Sequence, residues 1–487
     1  MKCTKQQALD SINAKREYLG SLSNQIWDNP ETLFEEFKSA EILCTALEQA
    51  GFQVERNLAN IATAFSGKWG SGYPVIGFLG EFDALPNLSQ EANVAVKKPV
   101  VKGGAGHGCG HNLLGVGTLG AAMAVRQYLL ENQLPGTVIF FGCPGEEGGS
   151  GKTFMARMAR AGVFDDVDCA LAWHPGAING TDLNSSTANY QVIYRFHRIS
   201  AHAGIVPQNG RSALDALELM NTGVQYLRGH VPPDVKIHYA ITNAGGSAPN
   251  VVQAEAEAVY QLREKDLQTV RQTYERVNKV AQGAATMTET EMEIEFVKGC
   301  SNTIPNLPLA ELICKNLAEV EKPHFSEEDF AFAAQIRASI PPQSRRSFAA
   351  TLSQIKDPVV RAEIAQCQDN DIREFILPLS YEEGSNPGST DVGDVSWVCP
   401  TQMFSVVTLA TGTPGHTWQW VAQGKSHLAK EGMFYAARTL AGAAIDIMMD
   451  SELQDRIKAD FDARMNGQKY VCPILPEIGP RIPAKGK

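Results

Sequence analysis

A chain of 487 residues exceeds what one compact core usually holds, so two domains are expected. Apolar residues make up 44% and charged ones 20%, an ordinary enzyme composition, and the formal charge of -11 argues against nucleic acid or an anionic membrane as partner. The N-terminal MKCTKQQALDSINAKREYLG lacks an apolar signal core, no run approaches the roughly eighteen apolar residues of a membrane span, and the ten cysteines form no CxxC pair, which together read as a cytoplasmic chain.

Residues 4–53 read as helix, broken at Asp28-Asn29-Pro30, with helical spacing from Glu31 to a stop at Gly51. "PVIGFLG" (74–80), "GTVIFFGCP" (136–144) and "CALAWHP" (169–175) are short apolar runs, expected as buried strands. Helical patterns at 112–131 and 152–161 alternate with them, so a largely parallel sheet covered on both faces is expected. From Asn189 the strands have one wetter face, and helical runs at 211–229 and 267–284 interrupt them. Strand-helix-strand-strand-helix-strand is the order of a ferredoxin-like α+β unit. The expectation is a mixed, mostly parallel α/β catalytic domain over 1–185 and 300–487, with a ferredoxin-like dimerisation or lid domain inserted at 186–299. Helix resumes at 308–320, and an acidic, largely helical stretch runs to about 385. A strand at 401–411, a long helix at 425–449 and a proline-rich surface tail at 473–484 complete the chain.

In an open parallel sheet, ligands bind beyond the carboxyl ends of the strands. Glu81-Phe82-Asp83 follows the first apolar strand, Glu146-Glu147 the second and His174 the third, while His416 follows the last in "GTPGHTW". The loop "GHGCGHNLLG" (106–115) lies after the first strand and opens a helix. Each residue alone has a bland reading, as a turn, a helix cap or a solvated pair. Together Cys109, His111, Glu147, His174 and His416 offer thiolate, imidazole and carboxylate at matching strand ends, which reads as a metal site.

The donors suit zinc, with manganese or cobalt admissible. Five ligands exceed one tetrahedral catalytic site, so two divalent metal ions sharing a ligand fit better. Glycines 106, 108 and 110 would let Cys109 and His111 both reach the ions. Adjacent Glu146 and Glu147 cannot point the same way from extended backbone. We assign Glu147 to metal and Glu146 to general-base catalysis, an order that spacing alone does not fix. A cysteine nucleophile with His111 as its base leaves Glu146-Glu147, His174 and His416 without a role.

"NPETLFEE" (29–36), "GEFDALP" (80–86), "GHGCGHN" (106–112), "GCPGEEGGSGK" (142–152), "WHP" (173–175), "AHAGIVPQNGRSALDA" (201–216) and "GTPGHTW" (412–418) occur in this order. Together they resemble the di-metal aminoacylase and carboxypeptidase family of amidohydrolases, in the branch of hippurate and auxin-conjugate hydrolases. Residues 320–385 are longer than is usual there; with "STDVGDVSW" (389–397) they are most similar to members that cleave p-aminobenzoyl-glutamate. The resemblance implies hydrolysis of the amide of a small-molecule N-acyl amino acid, p-aminobenzoyl-glutamate foremost, with a β-alanyl or other dipeptidase, another N-acyl-amino-acid hydrolase, or a partner subunit of a heteromeric hydrolase as the alternatives. It implies Cys109 as the bridging ligand, Glu146 as base and then acid, and Asp83 as an orienter of a ligating group. It implies that His202 reaches across a homodimer to polarise the scissile carbonyl, and that Asn250, Arg263 and Arg211 lie near the substrate carboxylate. It also raises a related A subunit as a partner. Asn112 departs from the aspartate that many relatives carry after "CGH", and a tuned environment around the ligands is expected from it.

Overall fold

The computed structural model describes residues 2–147, 154–344 and 348–478. Among the described residues, ten strands make two separate sheets. The first holds β1 (Gln53–Arg56), β2 (Phe65–Ser71), β3 (Val75–Glu81), β4 (Gly136–Cys143) and β5 (Cys169–Gly176). The second holds β6 (Ala188–His197), β7 (Lys236–Asn243), β8 (Glu255–Glu264) and β9 (Glu291–Cys300), and β10 (Thr401–Val407) returns to the first.

The six-stranded sheet has the order β1-β2-β4-β3-β5-β10. Pairs β4/β3, β3/β5 and β5/β10 are parallel, while β1/β2 and β2/β4 are antiparallel. Strands β3, β4 and β5 are almost wholly buried, which is why they read as continuous apolar runs. On one face the helices His111–Asn132 and His427–Met449 pack on the sheet through Trp173, Phe78, Phe140 and Met433. On the other face Leu79, Phe141, Ala170 and Ala172 pack against the helix Phe154–Arg160. The four-stranded sheet, β7-β8-β6-β9, is antiparallel throughout, and two helices, Ala213–Leu227 and Leu267–Thr288, cover one face around its own core.

The mixed, mostly parallel α/β class with a ferredoxin-like unit is thus what forms. Several local expectations need correction. Residues 31–36 are not helical: Leu33 and Phe34 take φ of 47° and 62°, and helix begins at Phe37. β1 and β2 escaped the sequence reading because "FSGKWGS" carries two glycines and no apolar run. The strand expected at 401–411 stops at Val407, and a further helix, Ser451–Met465, follows the long one. The start expected for the helix at 152 lies outside the described residues. The helix His111–Asn132 is, contrary to the sequence reading, long and apolar enough to cross a membrane; 72% of that apolar stretch is buried inside the molecule.

Candidate metal centre

The carboxyl ends of β3, β4 and β5 and the loop after β10 converge on one spot. Cys109, His111 and His174 place donor atoms within 4.8 Å of one another, and so do Cys109, Glu147 and His416. Cys109 belongs to both groups. A third group, Glu81, His111 and Glu146, adjoins them through His111.

The backbone explains the glycines. Gly110 has φ of 77° and caps the helix that His111 begins, so Cys109 stands just outside the first turn and His111 just inside it. At Gly106 a side chain would collide with the Leu88 carbonyl, so the loop can lie directly on its neighbour. His107, the other histidine of the motif, turns away: it is buried, and its Nε2 lies 3.1 Å from the Ile26 carbonyl. Burial lowers its pKa to about 4. Asn112 also points elsewhere, donating to Ser23 Oγ at 3.0 Å and to the Gly424 carbonyl at 3.1 Å.

Asp83 is buried and braces two of the five expected ligands. Its Oδ1 accepts from His111 Nδ1 at 2.8 Å, and its Oδ2 accepts from the Glu147 backbone N–H at 2.7 Å. With Nδ1 so engaged, His111 turns Nε2 toward the cluster, where that atom is buried 3.2 Å from Glu81 Oε2 without a well-formed hydrogen bond. His174 is fixed likewise: Nδ1 donates to the Pro175 carbonyl at 2.7 Å, and Nε2 lies 3.3 Å from Cys109 Sγ. His416 Nε2 lies 3.1 Å from Glu147 Oε1. Ring nitrogens aimed at a thiol and at carboxylates, with His111 and His174 anchored through their other nitrogens, form the donor set of a nitrogen–sulfur metal site. The donor types fit divalent metal, and Cys109 is common to the two groups that would hold it.

The electrostatics of the site agree. Burial, and then the Glu147 charge, push the Cys109 thiol well above its usual range. Burial works to depress His111, but the charge and hydrogen bond of Asp83 outweigh it and raise that imidazole. Glu81 is raised by burial, with His111 opposing and Glu146 adding to the rise. This density of acidic groups is what divalent cations neutralise.

Glu146 and Glu147 are both buried and diverge as adjacent residues must: Glu147 joins Cys109 and His416, and Glu146 joins Glu81 and His111. Glu81 received no role from the sequence. The available signal was its spacing, since residues two apart at a strand end share a face and Asp83 was already assigned. Glu36 was missed too. It is buried, accepts from the Phe34 N–H at 2.8 Å and Thr63 Oγ1 at 3.0 Å, and has its pKa raised to about 8 by burial and by Asp83. Those bonds hold Phe34 in its left-handed conformation, with its ring against Gly145, immediately before Glu146.

The other four expected residues lie elsewhere and not all together: Arg263 stands opposite Asn189 at the start of β6, whereas Arg211 pairs with Ile199 just past its end. His202 and Asn250 are exposed neighbours in the inserted unit, linked by Ala203 N–H to the Asn250 carbonyl at 2.9 Å. Arg211 pairs with Glu289 at 2.9 Å, and Arg263 on β8 reaches the Pro387 carbonyl at 3.4 Å. These contacts lie outside the metal cluster, because all four side chains are carried by the second sheet and its flanks.

Comparison with known proteins agrees with this geometry. The profile of Peptidase family M20/M25/M40 matches residues 77–347. The chain is 44% identical to one of the subunits of p-aminobenzoyl-glutamate hydrolase of Escherichia coli K12, over 97% of both chains. It is 26% identical to Xaa-Arg dipeptidase of Mus musculus, over 96% of this chain and 94% of that one. In structure it resembles YXEP of Bacillus subtilis, a dinuclear metal binding peptidase from the M20 family, with a TM-score of 0.54, 16% identity, and coverage of 90% of this chain and 99% of that one. The chain belongs to peptidase family M20/M25/M40, as an amidohydrolase that works with metal ions.

Proposed function

We propose that the chain hydrolyses the amide of an N-acyl amino acid, with p-aminobenzoyl-glutamate as the leading substrate. The observation that carries the reading is the pair of ligand groups sharing Cys109, with the carboxylate of Glu146 beside them. The identity to the E. coli hydrolase supports the substrate.

Cys109, His111 and His174 would hold one ion, and Cys109, Glu147 and His416 the other. Zinc suits the thiolate best and manganese is the alternative. Such ions acidify water and polarise a carbonyl. Glu146, buried beside them, takes the proton of the attacking water and delivers it to the leaving nitrogen. Asp83 keeps His111 in the tautomer that presents Nε2. His202 donates to the carbonyl oxygen when the inserted unit closes or when a second copy supplies it, which accords with its place outside the cluster. Asn250 with Arg211 would then take the substrate carboxylate, the arginine by charge-assisted bonds, while Arg263, at the other end of the second sheet, could join only from a second copy. The ten cysteines, all free thiols, support a cytoplasmic setting.

The deciding experiment purifies the chain alone, counts metal by elemental analysis, and measures p-aminobenzoyl-glutamate cleavage before and after chelation and metal restoration. About two ions and chelator-sensitive cleavage are expected. Two ions without cleavage would move the substrate to dipeptides, the reading that the mouse relative's name favours, or would show that a second kind of chain is needed, as is implied for the E. coli protein by its being named one subunit of its hydrolase. Full activity after complete metal removal would overturn the mechanism.

A further inference from the structure

His416 is the exposed member of the two ligand groups: its side chain is 54% accessible, whereas Cys109 and His174 are half-buried and the rest buried. It sits on a loop, not on a strand or helix end, and its φ of 57° is a left-handed conformation unfavourable for a residue other than glycine. A ligand in that position needs its backbone held from outside.

The His416 N–H itself donates to the Gly108 carbonyl at 3.1 Å, and the loop on either side is held by the 320–385 segment, which forms the helices Glu327–Ser339, Ala349–Gln354 and Pro358–Cys367 and then returns along the sheet edge. Two bonds from it bracket His416. The Thr411 N–H donates to the Asp371 carbonyl at 2.9 Å, and Gln419 Nε2 donates to the Ser339 carbonyl at 3.3 Å. Asp371 is itself pinned, since one guanidinium nitrogen of Arg337 donates to both Asp371 Oδ1 and the Asp369 carbonyl, each at 2.6 Å. Beneath the loop, Ala333, Ile336 and Ile372 are buried against Ala410 and Ala422, with Trp418 at the edge. The returning segment is also tied to the sheet by Asn179, which accepts from the Val407 N–H at 2.8 Å and donates to the Phe375 carbonyl at 3.2 Å.

We propose that this insertion positions the ion held by Cys109, Glu147 and His416, with Arg337 and Asp371 as positioning residues that act through Thr411 and the loop. The proposal rests on the reading of His416 as a ligand. Groups that orient metal ligands typically change affinity ten- to a hundred-fold when removed.

The test measures retention of each ion in the full chain against graded chelator, by elemental analysis, for Arg337→Ala, Asp371→Ala and Arg337→Lys, with His416→Ala as reference. One of two ions should be held about tenfold more weakly in Arg337→Ala and Asp371→Ala, the other unchanged, with partial recovery in Arg337→Lys. His416→Ala should lose that same ion. Gln419→Ala, which removes only the Ser339 contact, carries the same expectation if the arginine variant does not fold. Loss of an ion in His416→Ala but wild-type retention of both in the Arg337 and Gln419 variants, whatever their melting temperatures, would overturn this proposal alone. Two tightly held ions in His416→Ala would remove the ligand reading and the proposal with it.

Discussion

Glu146 and Glu36 are both buried carboxylates, and they make opposite predictions. Glu146 faces the reacting atoms in the proposed mechanism. Glu146→Gln should retain both ions and lose about a hundredfold or more in kcat; near-normal turnover would remove it as the base. Glu36 only braces Phe34 and Thr63, so its signature is in stability. Its pKa is about 8 folded against 4.5 for the free side chain, so between these values the folded state binds the extra proton. Its contribution is fully present below pH 4.5 and is lost as pH rises through 8. In chelated protein, urea midpoints of wild type should therefore fall from about pH 5 to 8 relative to Glu36→Gln, whose amide keeps the Phe34 bond without ionising. Parallel curves would show that Glu36 does not titrate in this range. Residues of the first kind were legible in the sequence because each stands at a strand's carboxyl end. Glu36 was not, because the left-handed turn it stabilises depends on Gly145, far along the chain.

At the level of elements, the long helix His427–Met449 lies on β10 through Gly432, where an added Cβ would collide with the Val407 carbonyl oxygen. Gly432→Ala should cost about 1–3 kcal/mol in chemical denaturation, as overpacking against backbone does. The buried parallel strands announced themselves because both faces are covered and their sequences are uniformly apolar. The antiparallel edge, β1 and β2, did not: its exposed positions dilute the pattern, as Lys68 and Ser71 in β2 show. The insertion's helical character was readable, but its packing under the His416 loop was not. Helical periodicity reports that a face is buried and never what lies against it.

At the scale of the molecule, the proposed metal centre would join distant parts of the chain: residues 81–83 and 106–111, 146–147, 174 and 416. Ions bound there stabilise the fold by their binding free energy, since the unfolded chain offers no such site. Chelation should lower the melting temperature by roughly 5–10 °C, and restoring the metal should reverse it. No shift would mean that the folded site binds no ion that the unfolded chain does not bind equally well. Cys109 carries one more consequence. In the empty site its sulfur keeps its proton, because burial and Glu147 disfavour the thiolate. Filling the site must expel that proton, so uptake of metal doubles as acid release. Calorimetry in two buffers of unlike ionisation heat would register it, and each fall in pH would return the sulfur to the dormant form in which oxidants and electrophiles find little to attack.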